Sequence, residues 1–180
     1  KKYASARSPS KPQAPASQGL FFISPGRLIM AAPALQLPDC DFTRKLSGML
    51  YGIMKWEQLT AFWNKVDLNA GWYLYAVGEA LPSAPADAEH VKKFMANLDH
   101  LLRDEHREDY CSIVYADDLD QPSFIKIYDP NHLGSACGSS KTITLPGWVM
   151  SQVPPVELTP SWIVPQSRKR WWRGFLDSLR

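Results

Sequence analysis

Apolar residues recur at helical spacing in two long stretches of the chain. In residues 39–66 the intervals of three and four predict a helix, a bend near Gly52 and a second helix. In residues 87–106 the same spacing predicts a longer helix that begins at Asp87 and has a charged outer face. The apolar positions of the two stretches are Phe42, Leu46, Met49, Leu50, Ile53, Trp56, Leu59, Phe62, Trp63, Val66, Val91, Phe94, Met95, Leu98, Leu101 and Leu102.

Shorter aromatic and β-branched runs predict strands. Residues 72–77 lie between two glycines, and residues 111–116 and 124–128 flank an Asp-rich turn at 117–122, which together predict a hairpin. Residues 142–145 and 148–153 are candidates for one or two further short strands. In the second hairpin strand Ile125 and Ile127 point to one face and Lys126 to the other, so we expect that other face to be solvated.

The resulting element order, ααβαβββα, predicts an α+β fold. We expect a small antiparallel sheet of three or four strands, including the 111–128 hairpin, packed against two or three helices. A Pro-rich segment at 154–165 is expected to wrap the domain, and a short amphipathic helix at 167–179 to end it. Residues 1–29 are predicted to be disordered, either a basic leader or an appended non-native segment before Met30. The predicted α+β domain is 30–166, followed by a basic aromatic helix in 167–180.

Charge is distributed unevenly along the chain. Residues 1–29 carry five basic groups and no acid, and residues 167–180 carry five basic groups and one acid. Because the whole chain has a net charge of +2, residues 30–166 carry a net charge of −7. A nucleic-acid groove in this main body is therefore not expected, since phosphate binding requires clustered Lys and Arg.

The three cysteines, Cys40, Cys111 and Cys137, are widely spaced and include no CxxC pair. Neither a zinc site nor a dense disulfide scaffold is indicated, and free thiols in a reducing cytoplasm are expected. The stretch from Gly134 to Thr142 only superficially resembles a phosphate-binding P-loop, because its spacing is wrong and Pro146 prevents the following helix. We predict no cofactor and no metal site.

The polar loop at 129–140 is the first candidate site. It follows the predicted hairpin directly and contains Asp129, His132 and Cys137. These are the residue types of a thiol site, with Cys137 as nucleophile, His132 as base and Asp129 orienting the imidazole. Their spacing matches no protease signature. The alternatives are a turn-rich connection whose Asn, Gly and Ser serve backbone geometry, and a non-catalytic anion-binding nest.

The C-terminal segment is the second candidate site. Wound as a helix, it places an apolar stripe among basic residues, a pattern typical of an interfacial or groove-binding helix. It either docks onto its own domain, binds a partner protein, or contacts an anionic membrane surface. The candidate partner-binding residues are Arg168, Arg170, Trp171, Trp172, Arg173, Phe175, Leu176 and Leu179.

The sequence favours a small, soluble, cytoplasmic, non-catalytic accessory or adaptor module that acts by contact with an unknown protein partner. The alternative function is a thiol-dependent enzyme or redox-sensing protein that uses Cys137 with His132 and Asp129. Peripheral membrane contact through the C-terminal helix is a third and weaker hypothesis.

Overall fold

The computed structural model describes residues 37–137, 145–160 and 163–177, without the side chains of 134–137. This part of the chain contains five strands, four α-helices and one 3-10 helix. The strands are β1 (Tyr51–Ile53), β2 (Tyr73–Ala76), β3 (Val114–Ala116), β4 (Phe124–Ile127) and β5 (Trp148–Ser151). The α-helices are α1 (Asp41–Ser47), α2 (Trp56–Trp63), α3 (Ala88–Glu105) and α4 (Gln166–Asp177), and the 3-10 helix is Pro130–Cys137.

All five strands form one sheet in the order β1-β3-β4-β5-β2, and every neighbouring pair is antiparallel. The predicted α+β class is therefore confirmed, with five strands where three or four were expected. The hairpin is also confirmed, with Val114 opposite Ile127 and Ala116 opposite Ile125. Strands β1 and β2 are the two edges of the sheet.

The additional strand is β1, which lies inside the stretch that the periodic pattern assigned to two consecutive helices. Helix α1 ends at Ser47 and α2 begins only at Trp56, and Tyr51–Ile53 pairs with β3 between them. Of the three residues of β1, Ile53 is the one that is buried. The strand thus combines its pairing with β3 with the burial of a single apolar side chain. The prediction of a continuous helical pattern was wrong here. Met49, Leu50 and Ile53 have spacings that fit a helix, but so few positions fit a short strand equally well.

One face of the sheet packs against α2, α3 and α4. Every second residue along the central strands points to this face, as the two-residue period of a strand requires. Helix α3 contributes the apolar stripe read from the sequence, and Asp87 caps its first turn by accepting from the backbone N–H of His90 at 2.9 Å. The strand residues buried in this core are Leu74, Ala76, Val114, Ala116, Ile125, Ile127, Trp148 and Met150.

The opposite face of the sheet is also covered, which corrects the expectation of a solvated surface. A second core on this face contains Phe42 and Leu46 of α1, together with Leu145 before β5 and Leu158 after it. Lys126 lies on this face, and its Nζ donates to the carbonyl of Leu46 at 2.9 Å. Burial lowers the pKa of the Lys126 amine. The strand residues that join this core are Tyr75, Phe124 and Val149.

The Pro-rich wrap is seen where residues 152–160 cross the second face. The backbone N–H of Leu158 donates to the Tyr75 hydroxyl at 3.0 Å, and Leu158 is fully buried. Several sequence predictions lie outside the described residues: disorder in residues 1–29, the strand proposed for 142–145 except Leu145, and the role of Leu179.

Candidate functional site

Helix α4 docks onto the first core through its aromatic side chains. Trp172 and Phe175 are 5% and 4% exposed, and their rings lie 6.0 and 5.5 Å from the ring of Phe94 in α3. The Trp171 ring lies 5.5 Å from that of Trp148 in β5. The apolar stripe of this helix is thus used inside the domain, as one of the sequence alternatives proposed.

A buried ion cluster anchors the first turn of α4. The Arg168 guanidinium is 6% exposed and binds the Asp129 carboxylate in bidentate fashion, Nε to Oδ2 at 2.6 Å and Nη2 to Oδ1 at 2.7 Å. Its Nη1 donates to Oε1 of Glu105 at 2.7 Å, and its Nη2 also donates to Oε2 of Glu105. The buried charges of Arg168 and Asp129 therefore neutralise each other, and the guanidinium also hydrogen-bonds the less buried carboxylate of Glu105.

Further polar groups complete this cluster. The Asn131 side-chain amide donates to Oε2 of Glu105 at 2.8 Å, and the Asn131 backbone N–H donates to Oδ1 of Asp129 at 2.9 Å. The guanidinium of Arg168 lies 5.6 Å from the Trp148 ring centroid. The cluster therefore joins α3, the 3-10 helix, β5 and α4, elements that are far apart in sequence.

The cluster shifts the pKa of each of its three charged groups. Burial raises the pKa of the Asp129 carboxyl, but hydrogen bonds from Arg168 and the Asn131 backbone outweigh it, and the pKa lies below the ordinary 3.8. Hydrogen bonds from Arg168 lower the pKa of Glu105 below its ordinary 4.5 despite partial burial. Burial acts to lower the pKa of Arg168, while its two carboxylate partners raise it above the usual range.

These pKa directions predict an acid-labile fold. A carboxyl whose pKa is lower in the folded chain stabilises that fold fully above its unfolded pKa and loses this contribution as pH falls through the folded value. We expect the free energy of unfolding, measured by urea denaturation, to be level from pH 7 to about 5 and to fall below about pH 4. The Asp129→Asn variant should show a shallower fall, and an unchanged slope would contradict the assignment to this residue.

Two members of the predicted thiol site lie together in this region. Nδ1 of His132 is 3.6 Å from Oδ2 of Asp129, and the His132 backbone N–H donates to the Asp129 carbonyl at 2.9 Å. Both carboxylate oxygens of Asp129, however, are bound by Arg168. Cys137 ends the 3-10 helix, and its side chain lies outside the described residues.

The other two cysteines are free thiols. Cys111 is fully buried, and burial raises the pKa of its thiol. Cys40 is half-buried, and hydrogen bonds from the side chain and backbone of Thr43 lower the pKa of its thiol. Neither cysteine lies in the loop that the sequence singled out.

The predicted partner-binding residues of α4 divide into two groups. Arg168, Trp172 and Phe175 are buried in the domain, and Trp171 is half-buried against Trp148. The exposed members are Arg170, Arg173 and Leu176, the last 40% exposed. The outward side of α4 is thus basic, with one exposed large apolar side chain.

Four of the exposed large apolar side chains of the described residues lie on or close to β1. Together we call them the β1 edge surface, and it consists of Met49, Tyr51, Met54 and Leu119, which are 82%, 52%, 54% and 39% exposed. Clusters of exposed large apolar side chains on a protein surface commonly mark interaction sites. Within the described residues, the strand β1 pairs on one side, with β3.

A groove of about 260 Å³ runs beside this edge, between β1 and α2. Its apolar lining includes Ile53, Ala61 and Phe62, while Gln58 and Lys65 supply polar groups. The opposite edge strand differs, because Leu74, Tyr75 and Ala76 of β2 are all buried. Among the described residues, β1 is the sheet edge that has both exposed apolar strand residues and a groove of this size beside it.

Sequence reasoning missed this surface. The helical spacing places Met49 in a helix and gives Tyr51 and Met54 no role, because periodicity alone cannot show that a three-residue run forms an edge strand. A usable signal was present in the two glycines, Gly48 and Gly52, which interrupt the helical pattern on either side of Tyr51.

The fold and its sites define an α+β domain with a five-stranded antiparallel sheet covered on both faces. No protein-family model, curated protein or solved structure matches the chain. Across residues 37–137, 145–160 and 163–177, no three His, Cys, Asp or Glu side chains are grouped so that they could hold a metal ion. In the same ranges no helix combines the length and apolar character needed to cross a membrane.

Proposed function

We propose that this protein is a non-catalytic interaction module that binds an extended segment of a partner protein along strand β1. The observation that carries the proposal is the β1 edge surface, where large apolar side chains stay exposed next to a strand paired on one side. An edge strand offers backbone N–H and C=O groups to an added strand. Strand addition to a sheet edge is a recurring mode of peptide recognition.

The groove beside β1 gives such a segment a place for its side chains. Successive side chains of an added strand point to opposite faces, so every second one faces the groove between β1 and α2. Backbone hydrogen bonds contribute affinity without sequence preference. The apolar groove lining of Ile53, Ala61 and Phe62, in contrast, selects apolar side chains of the bound segment. We therefore expect the bound segment to carry apolar residues at alternate positions.

The proposal predicts that peptides bind through Tyr51 and Met54. A displayed library of random 12-residue peptides, selected on the full chain, should yield binders with alternating apolar residues. Replacing Tyr51 or Met54 by serine should weaken the selected peptides by about tenfold or more, because a buried apolar side chain contributes roughly 1.5–3 kcal/mol and 1.4 kcal/mol is tenfold. Fluorescence anisotropy would give the dissociation constants.

Leu81→Ser is the matched control, because Leu81 is 43% exposed and follows the other edge strand, β2, by five residues. It should leave peptide affinity unchanged. Methylating the backbone nitrogens of a selected peptide one at a time should abolish binding at alternate positions only, which separates strand addition from side-chain docking. The proposal would be refuted if the Tyr51, Met54 and Leu81 serine variants all lost the same peptide affinity. It would also be refuted if the peptide still bound after methylation at every backbone position tested.

A second copy of this chain is the other possible occupant of the β1 edge. Sedimentation equilibrium of the full chain distinguishes the two cases. A monomer over the working concentration range agrees with a separate partner, whereas a dimer dissociated by Tyr51→Ser would replace that partner with the chain itself.

The compartment proposed for this module is the cytoplasm. Cys40 and Cys111 are both free thiols in the described part of the chain, and such thiols persist where the environment is reducing. The basic outer side of α4, with Arg170 and Arg173, supports a secondary contact to an acidic surface of the same partner.

A further inference from the structure

An aromatic cleft of about 560 Å³ lies where the end of α3 faces β3 and the start of the 3-10 helix. It shares no lining residue with the groove beside β1. Four aromatic rings line it, and its size falls within the range of small-molecule pockets. These rings belong to His106, Tyr110, Tyr115 and Tyr128.

The four rings form two edge-to-face pairs. The Tyr115 and Tyr128 centroids are 5.7 Å apart with planes at 86°, and those of His106 and Tyr110 are 6.2 Å apart at 82°. Aromatic rings favour edge-to-face and offset contacts with further rings. The cleft is thus suited to a planar aromatic guest.

One residue that lines the cleft contains a buried polar atom without a partner in the described part of the chain. His106 is 8% exposed, and no described residue hydrogen-bonds its Nε2. The other contacts of the imidazole are with the rings of Trp56 and Tyr110. Because buried polar atoms in proteins are nearly always hydrogen-bonded, an unpartnered Nε2 on a residue that lines a cleft points to a ligand.

The backbone at this cleft is also unusual. Ser112 has a φ of +47°, in the left-handed region that serine seldom adopts. It is held there because its N–H donates to the Ile53 carbonyl at 2.9 Å and its own carbonyl accepts from the Tyr115 hydroxyl at 3.1 Å. These contacts fix the position of Tyr115 in the cleft, and strain of this kind concentrates at binding sites.

We propose that this cleft binds an aromatic ring that carries a hydroxyl group, with the hydroxyl hydrogen-bonded to Nε2 of His106. A hydroxyl both donates and accepts, so it satisfies Nε2 in either neutral tautomer of the imidazole. The guest reaches Nε2 by displacing Tyr110, which is 51% exposed and packs edge-on against His106. This site is additional to the proposed peptide-binding edge and does not depend on it.

Phenol and toluene are the probes that test this site, because they have nearly the same shape and differ in the hydroxyl. Titrated into the full chain labelled with ¹⁵N-histidine, phenol should bind at least about fivefold more tightly than toluene, as expected for one net hydrogen bond. Phenol should also shift the Nε2 resonance of His106, and toluene should not. Equal binding of the two probes, no binding of either, or an unmoved Nε2 resonance would overturn the proposal.

The His106→Phe variant should erase the preference for phenol while retaining toluene binding, since it keeps an aromatic ring in the lining of the cleft. His100→Phe is the matched control, because His100 is on the same helix with a side chain that is 75% exposed. It should leave the binding of both probes unchanged. A preference for phenol that survives in His106→Phe would assign the hydroxyl contact to another residue and overturn the proposal. If that variant fails to fold, the Nε2 resonance of the wild-type chain still decides the question.

Discussion

The Trp172→Ala variant is expected to lose about 3–5 kcal/mol of unfolding free energy, the usual cost of truncating a large buried aromatic side chain. Trp172 is 5% exposed, and its ring lies 6.0 Å from Phe94 and 5.3 Å from Phe175. Truncation removes these contacts and leaves a cavity between α3 and α4 that the neighbouring side chains refill only in part.

Urea denaturation followed by circular dichroism measures this loss. Leu176→Ala is the matched control, because Leu176 is on the same helix and 40% exposed, and surface substitutions usually change stability by about 0.5 kcal/mol or less. If Trp172→Ala were as mild as this control, α4 would not be docked on the domain in solution. Its apolar stripe would then be available to a partner, as the sequence alternative proposed.

The Arg168→Ala variant is expected to lose a similar amount, about 3–5 kcal/mol at pH 7, for an electrostatic reason. The substitution leaves the buried carboxylate of Asp129 and the partly buried carboxylate of Glu105 without their cation. Removing one partner of a buried ion pair is costly because the remaining charge keeps its desolvation penalty. Arg170→Ala, which removes an exposed guanidinium two residues away, should change stability little.

The pH dependence separates this electrostatic cost from lost packing. Without Arg168, burial raises the pKa of Asp129, so protonation on acidification neutralises the unpaired charge. The stability difference between wild type and Arg168→Ala should therefore shrink as pH falls from 7 to 4. A difference that stays constant over this range would show that the side chain acts only through packing, and the charge argument would be wrong.

The long elements could be predicted from the sequence because their signals are redundant. Six apolar residues of α3 repeat at helical spacing behind the capping residue Asp87, so no single position determines the helix. Strand β2 and the 114–127 hairpin are likewise marked by aromatic and β-branched runs between turn residues. The α+β class follows from these elements alone.

The candidate sites could be predicted only in part. The sequence predicts Asp129 and His132 as members of a thiol site, and the structure places Nδ1 of His132 3.6 Å from Oδ2 of Asp129. However, both carboxylate oxygens of Asp129 bind Arg168. Arg168 lies 39 residues from Asp129 and 63 from Glu105 in sequence. No local pattern identifies such an ion pair, because each charged residue taken alone resembles a solvated surface group.

The exposed edge at β1 was missed for a related reason. Three strand residues contribute too few positions to distinguish a period of 2 from a period of 3.6. Their conformation depends on β3, whose nearest partner residue, Val114, is 61 positions after Ile53 in the chain. Local sequence does not contain that information.

Local hydrophobic periodicity and turn residues are enough to specify the α+β class, the hairpin, the long helix and the Pro-rich wrap. Three other features are visible only in the folded chain: both faces of the sheet are covered, Arg168 is buried, and β1 is the exposed edge. Each of these depends on contacts between residues distant in the chain. Whether an apolar or charged side chain is buried is settled by what packs against it, and the sequence around it does not specify that neighbour.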